Sequence, residues 1–189
     1  GAVMMIEAGA IEGVGHIIGG HILPALNPHK IGIKYGPMAA AIKQIDITLS
    51  GPGGHTSRPA ESVDLIWAQS HLVISLEQAI RNQLGQKERI VLAFGSVNGG
   101  HTCNVLPAEI KMEGTLRYLN TKIEEKLIKI IDNTINAVEL LTDAKINWNI
   151  SYEAPGLVND DKVTDLIIKS AKNSLGHENV IEMEESSMG

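Results

Sequence analysis

Three short stretches carry side chains suited to gripping an anion. Ser50 to Pro59 reads SGPGGHTSRP, a glycine-rich turn at the end of a predicted strand that presents one imidazole, His55. Gly99 to Pro107 reads GGHTCNVLP and holds the carboxamide of Asn104 just ahead of an apolar pair and a proline. Gly114 to Arg117, GTLR, sets a guanidinium inside a predicted strand. Together an imidazole, a carboxamide and a guanidinium suit the holding of a substrate carboxylate and the stabilisation of a developing oxyanion. A fourth candidate, His21 in GGHILP, is an imidazole set in an apolar run.

Each of these residues also has a plainer reading. A glycine-rich turn often solves only a backbone problem, and a histidine beside it is then an exposed turn residue. An asparagine in a loop commonly caps its own turn. Arg117 has Glu113 and Glu109 within reach as strand partners. His21 lies five positions from His16, so strand parity sends the two to opposite faces, and no local pair has metal-ligand spacing. On residue physics alone His21 reads as a satisfied buried histidine. His16, His29, His71, His101 and His177 have no supporting pattern and read as structural or exposed. Cys103 reads as a free thiol, Glu184-Glu185 as a solvated acidic pair, and Asp160-Asp161 as a helix start with favourable dipole placement.

The elements that position these groups follow from hydrophobic periodicity. Residues 2 to 8 look like the last turns of a helix, with Gly9 as its C-terminal cap. His16 to Leu23 and Ile31 to Tyr35 are apolar runs expected to be buried strands. Ile45, Ile47 and Leu49 alternate with Gln44, Asp46 and Thr48, the pattern of a half-buried strand. Leu65, Leu72, Leu76 and Ile80 recur at helical spacing within residues 62 to 84. Alternation returns at Ile90, Leu92 and Phe94, and again at Ile110, Met112 and Leu116. A second helical stripe runs Ile123, Leu127, Ile130, Thr134, Val138 and Leu141, with Asn120 or Thr121 as its cap. Ile146, Trp148, Ile150 and Tyr152 then alternate with polar residues. The order strand, helix, strand, strand, helix, strand predicts an α+β, ferredoxin-like split βαβ unit: a four-stranded antiparallel sheet with two helices on one face. Arg117 falls on its open, polar face by parity. Beyond Ala154-Pro155-Gly156 a helix opens at Asp160-Asp161 and ends at Gly176, with one more strand at Val180 to Met183. The two ends of the chain fit no part of the split βαβ unit and read as edges of a second domain into which it is inserted.

Composition bounds the function. A net charge of −6 and a pI near 5.6 argue against a nucleic-acid partner, which usually requires a basic face. No stretch approaches the roughly 18 apolar residues of a membrane helix. No basic segment followed by an apolar one opens the chain, so no signal peptide is expected. One cysteine forms no internal disulfide, and a cytoplasmic protein is expected. Aromatics are scarce, so the core must be aliphatic.

With these motifs in order, the whole chain resembles the M20 family of metal-dependent peptidases and amidohydrolases, nearest the N-acyl-amino-acid and hippurate-type branch. The matching pieces are GAVMMIEAGAIE at 1 to 12, GGHILP at 19 to 24, GPMAAA at 36 to 41, GPGGHTSRP at 51 to 59, GGHTCNVLP at 99 to 107, GTLR at 114 to 117 and SMG at 187 to 189. The resemblance implies a catalytic domain holding two divalent metal ions, zinc or manganese, flanking an inserted lid that makes the homodimer. Residues 39–153 would be the lid, and residues 1–38 and 154–189 fragments of the α/β catalytic domain. His21 then matches a metal ligand, with Gly20 where an apolar residue is common. His55 matches the lid histidine that reaches the neighbouring subunit's active site and stabilises the oxyanion. Asn104 and Arg117 match residues holding the substrate's carboxylate end. The family's other metal ligands and its general-base glutamate would fall before Gly1 and after Gly189, so the resemblance implies an internal fragment that is inactive alone.

The substrate implied is an N-acyl amino acid or small peptide. Two other classes stay open: a non-catalytic module for dimerisation and substrate clasping, and an RNA-binding split βαβ domain. The last needs aromatics on the open sheet face and a basic surface, and the outward positions here hold Lys, Glu, Asn and Ser.

Overall fold

The computed structural model describes residues 2–188. In chain order its elements are helix α1 (Ala2–Glu7), strands β1 (Ile31–Ile33), β2 (Gly36–Ala39), β3 (Ala41–Ser50) and β4 (Gly54–His55), helix α2 (Leu65–Leu84), strands β5 (Ile90–Asn98), β6 (Val105–Leu106) and β7 (Glu109–Tyr118), helix α3 (Glu124–Thr142), strands β8 (Lys145–Ala154) and β9 (Leu157–Asn159), helix α4 (Asp161–Leu175) and strand β10 (Val180–Glu182). The chain divides into two compact units. One runs to Gly36 and resumes over Asn159–Glu184; the other is Pro37–Val158 and resumes at Glu185.

The larger unit is a four-stranded sheet in the order β5-β7-β3-β8, every neighbouring pair antiparallel. Alternation along β3 puts Ile45, Ile47 and Leu49 on the covered face, while Gln44, Asp46 and Thr48 stay half-buried opposite them. Leu65, Leu72 and Leu76 of α2 and Leu127, Ile130 and Ile131 of α3 close over that face, so one aliphatic core joins both helices to the sheet. Burying these side chains is the main favourable term for the unit. Local signals set the helix ends. The Asp64 carboxylate accepts from the Trp67 amide at 3.0 Å to cap α2. Asn120 accepts from the Lys122 amide at 3.1 Å, capping the short 3-10 turn that leads into α3.

Two β-bulges break the expected parity. Phe94 faces Gly114 but Ser96 faces Glu113, so Gly95 is an extra residue in β5. Gln44 faces Tyr152 but Ile45 faces Ile150, so Ser151 is an extra residue in β8. A bulge flips the side-chain alternation beyond it. Tyr152 therefore does not continue the series Ile146, Trp148, Ile150. It stands opposite Gln44 on the open face and is 58% exposed.

In the smaller unit β1 pairs in parallel with β10, and α4 lies between them in sequence. Asp160 accepts from the Val163 amide at 3.0 Å to cap α4, and Gly176, at φ 89°, ends it. Residues 14–23 are exposed and form no strand, contrary to the expectation for His16 to Leu23. The glycines at 13, 15, 19 and 20 make an extended conformation entropically costly, and no strand pairs with this run among the described residues. Among the described residues no helix is long and apolar enough to cross a membrane.

Candidate functional site

The two histidine–glycine motifs meet beyond one end of the four-stranded sheet. β4 and β6 form a two-residue antiparallel pair, Gly54 opposite Leu106 and His55 opposite Val105. The Thr56 amide donates to the Asn104 carbonyl at 3.1 Å, extending the contact by one residue. The Gly51 amide donates to the Ala108 carbonyl at 3.2 Å, tying both loops to the ends of β3 and β7. Such an approach tolerates no side chain at Gly53, where a Cβ would lie 2.7 Å from the Leu106 carbonyl oxygen. Gly53 thus serves close backbone packing, and that packing brings the His55 loop against the Asn104 loop.

Both side chains are exposed and locally held. The Ser57 amide donates to Nδ1 of His55 at 3.2 Å, and the Ser57 hydroxyl lies 2.8 Å from the same nitrogen. The Thr102 hydroxyl donates to Oδ1 of Asn104 at 2.9 Å. The Arg58 amide closes the turn on the His55 carbonyl at 2.9 Å.

Arg117 lies elsewhere. It sits on the open face of β7 between Ile42 of β3 and Val91 of β5, half-buried, and donates to the Met188 carbonyl at 2.7 Å. Neither Glu113 nor Glu109 pairs with it. It stands eight positions along β7 from Glu109, which is about 27 Å of extended strand. The His55–Asn104 pair is anchored at the Glu109 end. Within one chain these groups therefore occupy opposite ends of the sheet.

His21 lies in the smaller unit and is exposed, which corrects the reading of it as a buried histidine. Its Nδ1 is 2.7 Å from the Ile22 carbonyl oxygen. A carbonyl only accepts, so Nδ1 carries the proton and Nε2 keeps its lone pair, the form in which an imidazole binds a metal. One ligand fits. Among the described residues, however, no three His, Cys, Asp or Glu side chains are grouped to hold an ion. The chain does not by itself fit a metal centre.

Periodicity missed a second polar cluster, under the helices. Lys43 is buried on the covered face of β3. It pairs with Glu124, the first residue of α3, at 3.0 Å and with Glu153 of β8, and the Tyr118 hydroxyl donates to Glu124 at 2.6 Å. Burial lowers the Lys43 pKa, but its hydrogen bonds to Glu153 and Glu124 outweigh that and raise it overall. The Tyr118 and Lys43 contacts hold the Glu124 carboxyl below its ordinary range. Burial and Glu124 push the Tyr118 phenol up. The signal in the sequence was parity: Lys43 shares the register of Ile45, Ile47 and Leu49.

Known proteins share the fold, and their sequences match this chain over most of its length. The family model for the peptidase dimerisation domain of M20 proteins matches residues 40–142. A probable hydrolase of Synechocystis sp. is 31% identical over 189 residues, covering all of this chain and 48% of the relative. An N-acyl-L-amino acid amidohydrolase of Geobacillus stearothermophilus is 29% identical over 162 residues, covering 86% of this chain and 44% of its own length. The crystal structure of a protein of methicillin-resistant Staphylococcus aureus classed as an aminohydrolase superposes with a TM-score of 0.84 at 26% identity, over 98% of this chain and 49% of that one. A dinuclear metal binding peptidase of the M20 family from Bacillus subtilis superposes at 0.77 with 24% identity, over 100% of this chain and 47% of its own. The chain spans about half the length of the curated relatives it matches. It belongs to the M20 peptidase family and carries that family's dimerisation domain.

Proposed function

We propose that the protein bearing this chain hydrolyses the amide bond of N-acyl amino acids or small peptides. In this reading residues 39–153 are the lid, and residues 1–38 and 154–189 are parts of the catalytic domain. The observation that carries it is the backbone pairing of the loops that bear His55 and Asn104, which brings both donor-bearing residues to the same end of the sheet. The likeness to an N-acyl-L-amino acid amidohydrolase supports the substrate class.

His55 donates a hydrogen bond to the oxyanion that forms when the amide carbonyl is attacked. Asn104 and Arg117 hold the substrate's free carboxylate, the guanidinium through paired N–H donors. Since Arg117 stands about 27 Å along the strand from the His55 end, one pocket takes Arg117 from one copy and His55 with Asn104 from another. His21 would hold one of two divalent ions, zinc or manganese, through Nε2, and that pair would supply an activated water for the attack. The dinuclear metal binding of a structural neighbour supports that part.

The homodimer this requires is built on β5 and α2. The sheet has two edges, β5 and β8. β8 carries Lys145 and Glu153, and charge protects an edge from pairing. β5, IVLAFGSVN, carries none and exposes Val91 and Val97. On α2, the helix next to it, Ile66, Ser70 and Ile74 form an exposed stripe with Trp67 alongside. The stripe lies opposite Ser75 and Ala79, which line the cleft shared with α3. A two-fold axis at this edge joins two sheets into one. A cytoplasmic setting accords with an exposed, free Cys103.

For this chain by itself, the lack of grouped metal-ligating side chains among the described residues favours a clasping and dimerising role without turnover. The test is hydrolysis of N-acetyl amino acids by the full-length protein and by this chain. The full-length protein is expected to release free amino acid in a metal-dependent reaction that His55→Ala slows at least about a hundredfold, and the isolated chain to release none. A full-length protein inert toward every N-acyl amino acid and dipeptide tried contradicts the reading.

A further inference from the structure

His55 and Asn104 are held in the same way, each by a hydroxyl two residues away along the chain. His55 Nδ1 accepts a hydrogen bond from the Ser57 amide, and an amide N–H only donates. That nitrogen is therefore the unprotonated one, and the neutral ring carries its proton on Nε2. The Ser57 hydroxyl, 2.8 Å from Nδ1, then also donates. At Asn104 the acceptor Oδ1 is occupied by the Thr102 hydroxyl at 2.9 Å. In each case a hydroxyl two residues away along the chain takes up the acceptor end of the side chain. Among the described residues Nε2 of His55 and Nδ2 of Asn104 make no hydrogen bond. His55 thus offers N–H alone, and Asn104 offers its N–H groups beside the one remaining lone pair of Oδ1.

We propose that Ser57 and Thr102 are positioning residues, each turning the N–H end of its neighbour, His55 or Asn104, outward toward an anionic group of the substrate. A free histidine offers one donor and one acceptor, and which nitrogen has the proton is left to its surroundings. A free carboxamide can present either end. With Nδ1 of His55 and one lone pair of Asn104 Oδ1 tied back, each side chain already presents N–H to an oxyanion or carboxylate before substrate arrives, so no reorientation is needed during reaction. The chemical consequence rests on the reading of His55 as an oxyanion donor given above. The positioning itself does not, because it concerns the resting proton.

The test reads that proton directly. Two-bond proton–nitrogen NMR correlation on the 189-residue chain, above the pH at which the imidazoles are neutral, distinguishes the two tautomers of His55. The wild type is expected as the Nε2–H form. Ser57→Ala removes the shorter of the two bonds to Nδ1, leaves the longer amide bond, and is expected to raise the share of the Nδ1–H form above that of the wild type. Ser57→Thr, which keeps the hydroxyl, is expected to restore the wild-type pattern. Ser57 is exposed, so none of these changes disturbs the core. A wild-type ring protonated on Nδ1, or a Ser57→Ala ring with an unchanged tautomer, overturns the proposal. Turnover by the full-length protein decides separately whether His55 serves an oxyanion, so either idea can fail while the other stands.

Discussion

Glu153 reaches Lys43 because β8 carries one residue more than its partner strand. The bulge at Ser151 turns Glu153 from the open face to the covered face, directly opposite Lys43 in the register. The result is a buried ammonium shared by two carboxylates, one from the end of β8 and one from the start of α3. Lys43→Ala leaves Glu124 with only the Tyr118 hydroxyl. It is expected to cost about 2 kcal/mol in urea unfolding, less than a fully buried pair because both carboxylates reach solvent.

The same cluster predicts a pH dependence with a definite sign. The Glu124 pKa is depressed in the folded state, so its stabilisation is present above the unfolded carboxyl value and is lost as pH falls through the folded one. The Lys43 pKa is raised, so its stabilisation is present below the ordinary lysine value and is lost as pH rises through the folded one. The stability gap between wild type and Glu124→Gln is therefore expected to be widest near neutral pH and to shrink in acid. A gap that stays constant from neutral pH into strong acid contradicts this.

Gly114 admits the edge strand. A Cβ there would stand 2.7 Å from the Ala93 carbonyl oxygen and 2.7 Å from Cδ1 of Phe94. One of these neighbours is backbone and does not yield easily. Gly114→Ala is expected to lower stability by about 1–3 kcal/mol and to loosen β5 first. Hydrogen exchange should show faster exchange at the β5 amides than at those of β3.

If β5 and α2 form the dimer face, charge placed there should dissociate it. Val91→Lys and Ile66→Asp are each expected to weaken self-association at least about tenfold in sedimentation equilibrium, with the far-UV circular dichroism unchanged. The matching change at the other edge, Asn149→Lys in β8, is expected to leave association intact. Dissociation by Asn149→Lys alone would place the interface on β8 instead.

How legible the fold was depended on which residues follow a simple period. The split βαβ order was readable because Ile45, Ile47 and Leu49, like Leu65, Leu72 and Leu76, keep strict spacing over long elements. The bulges were not, since nothing in the types of Gly95 and Ser151 announces an unpaired residue. Tyr152 was misplaced as a result. Residues 14–23 misled for another reason: Ile17, Ile18, Ile22 and Leu23 look buried by type, yet all four are exposed here. The site residues were legible only as short motifs. That His55 and Asn104 adjoin while Arg117 stands at the far end follows from strand register, which a local motif does not encode. Ser57 and Thr102 escaped notice because a hydroxyl beside a loop histidine or asparagine carries no signal without distances.

The separation of Arg117 from His55 along one sheet makes the central claim directly testable. Full-length His55→Ala and Arg117→Ala proteins, each nearly inactive as homodimers, are mixed under conditions that exchange subunits. If one pocket draws Arg117 from one copy and His55 from the other, each hybrid dimer holds one intact pocket, and the mixture recovers about a quarter of wild-type activity. A mixture shown to contain hybrids yet no more active than its parents means that both residues serve the same chain's pocket, and contradicts the account.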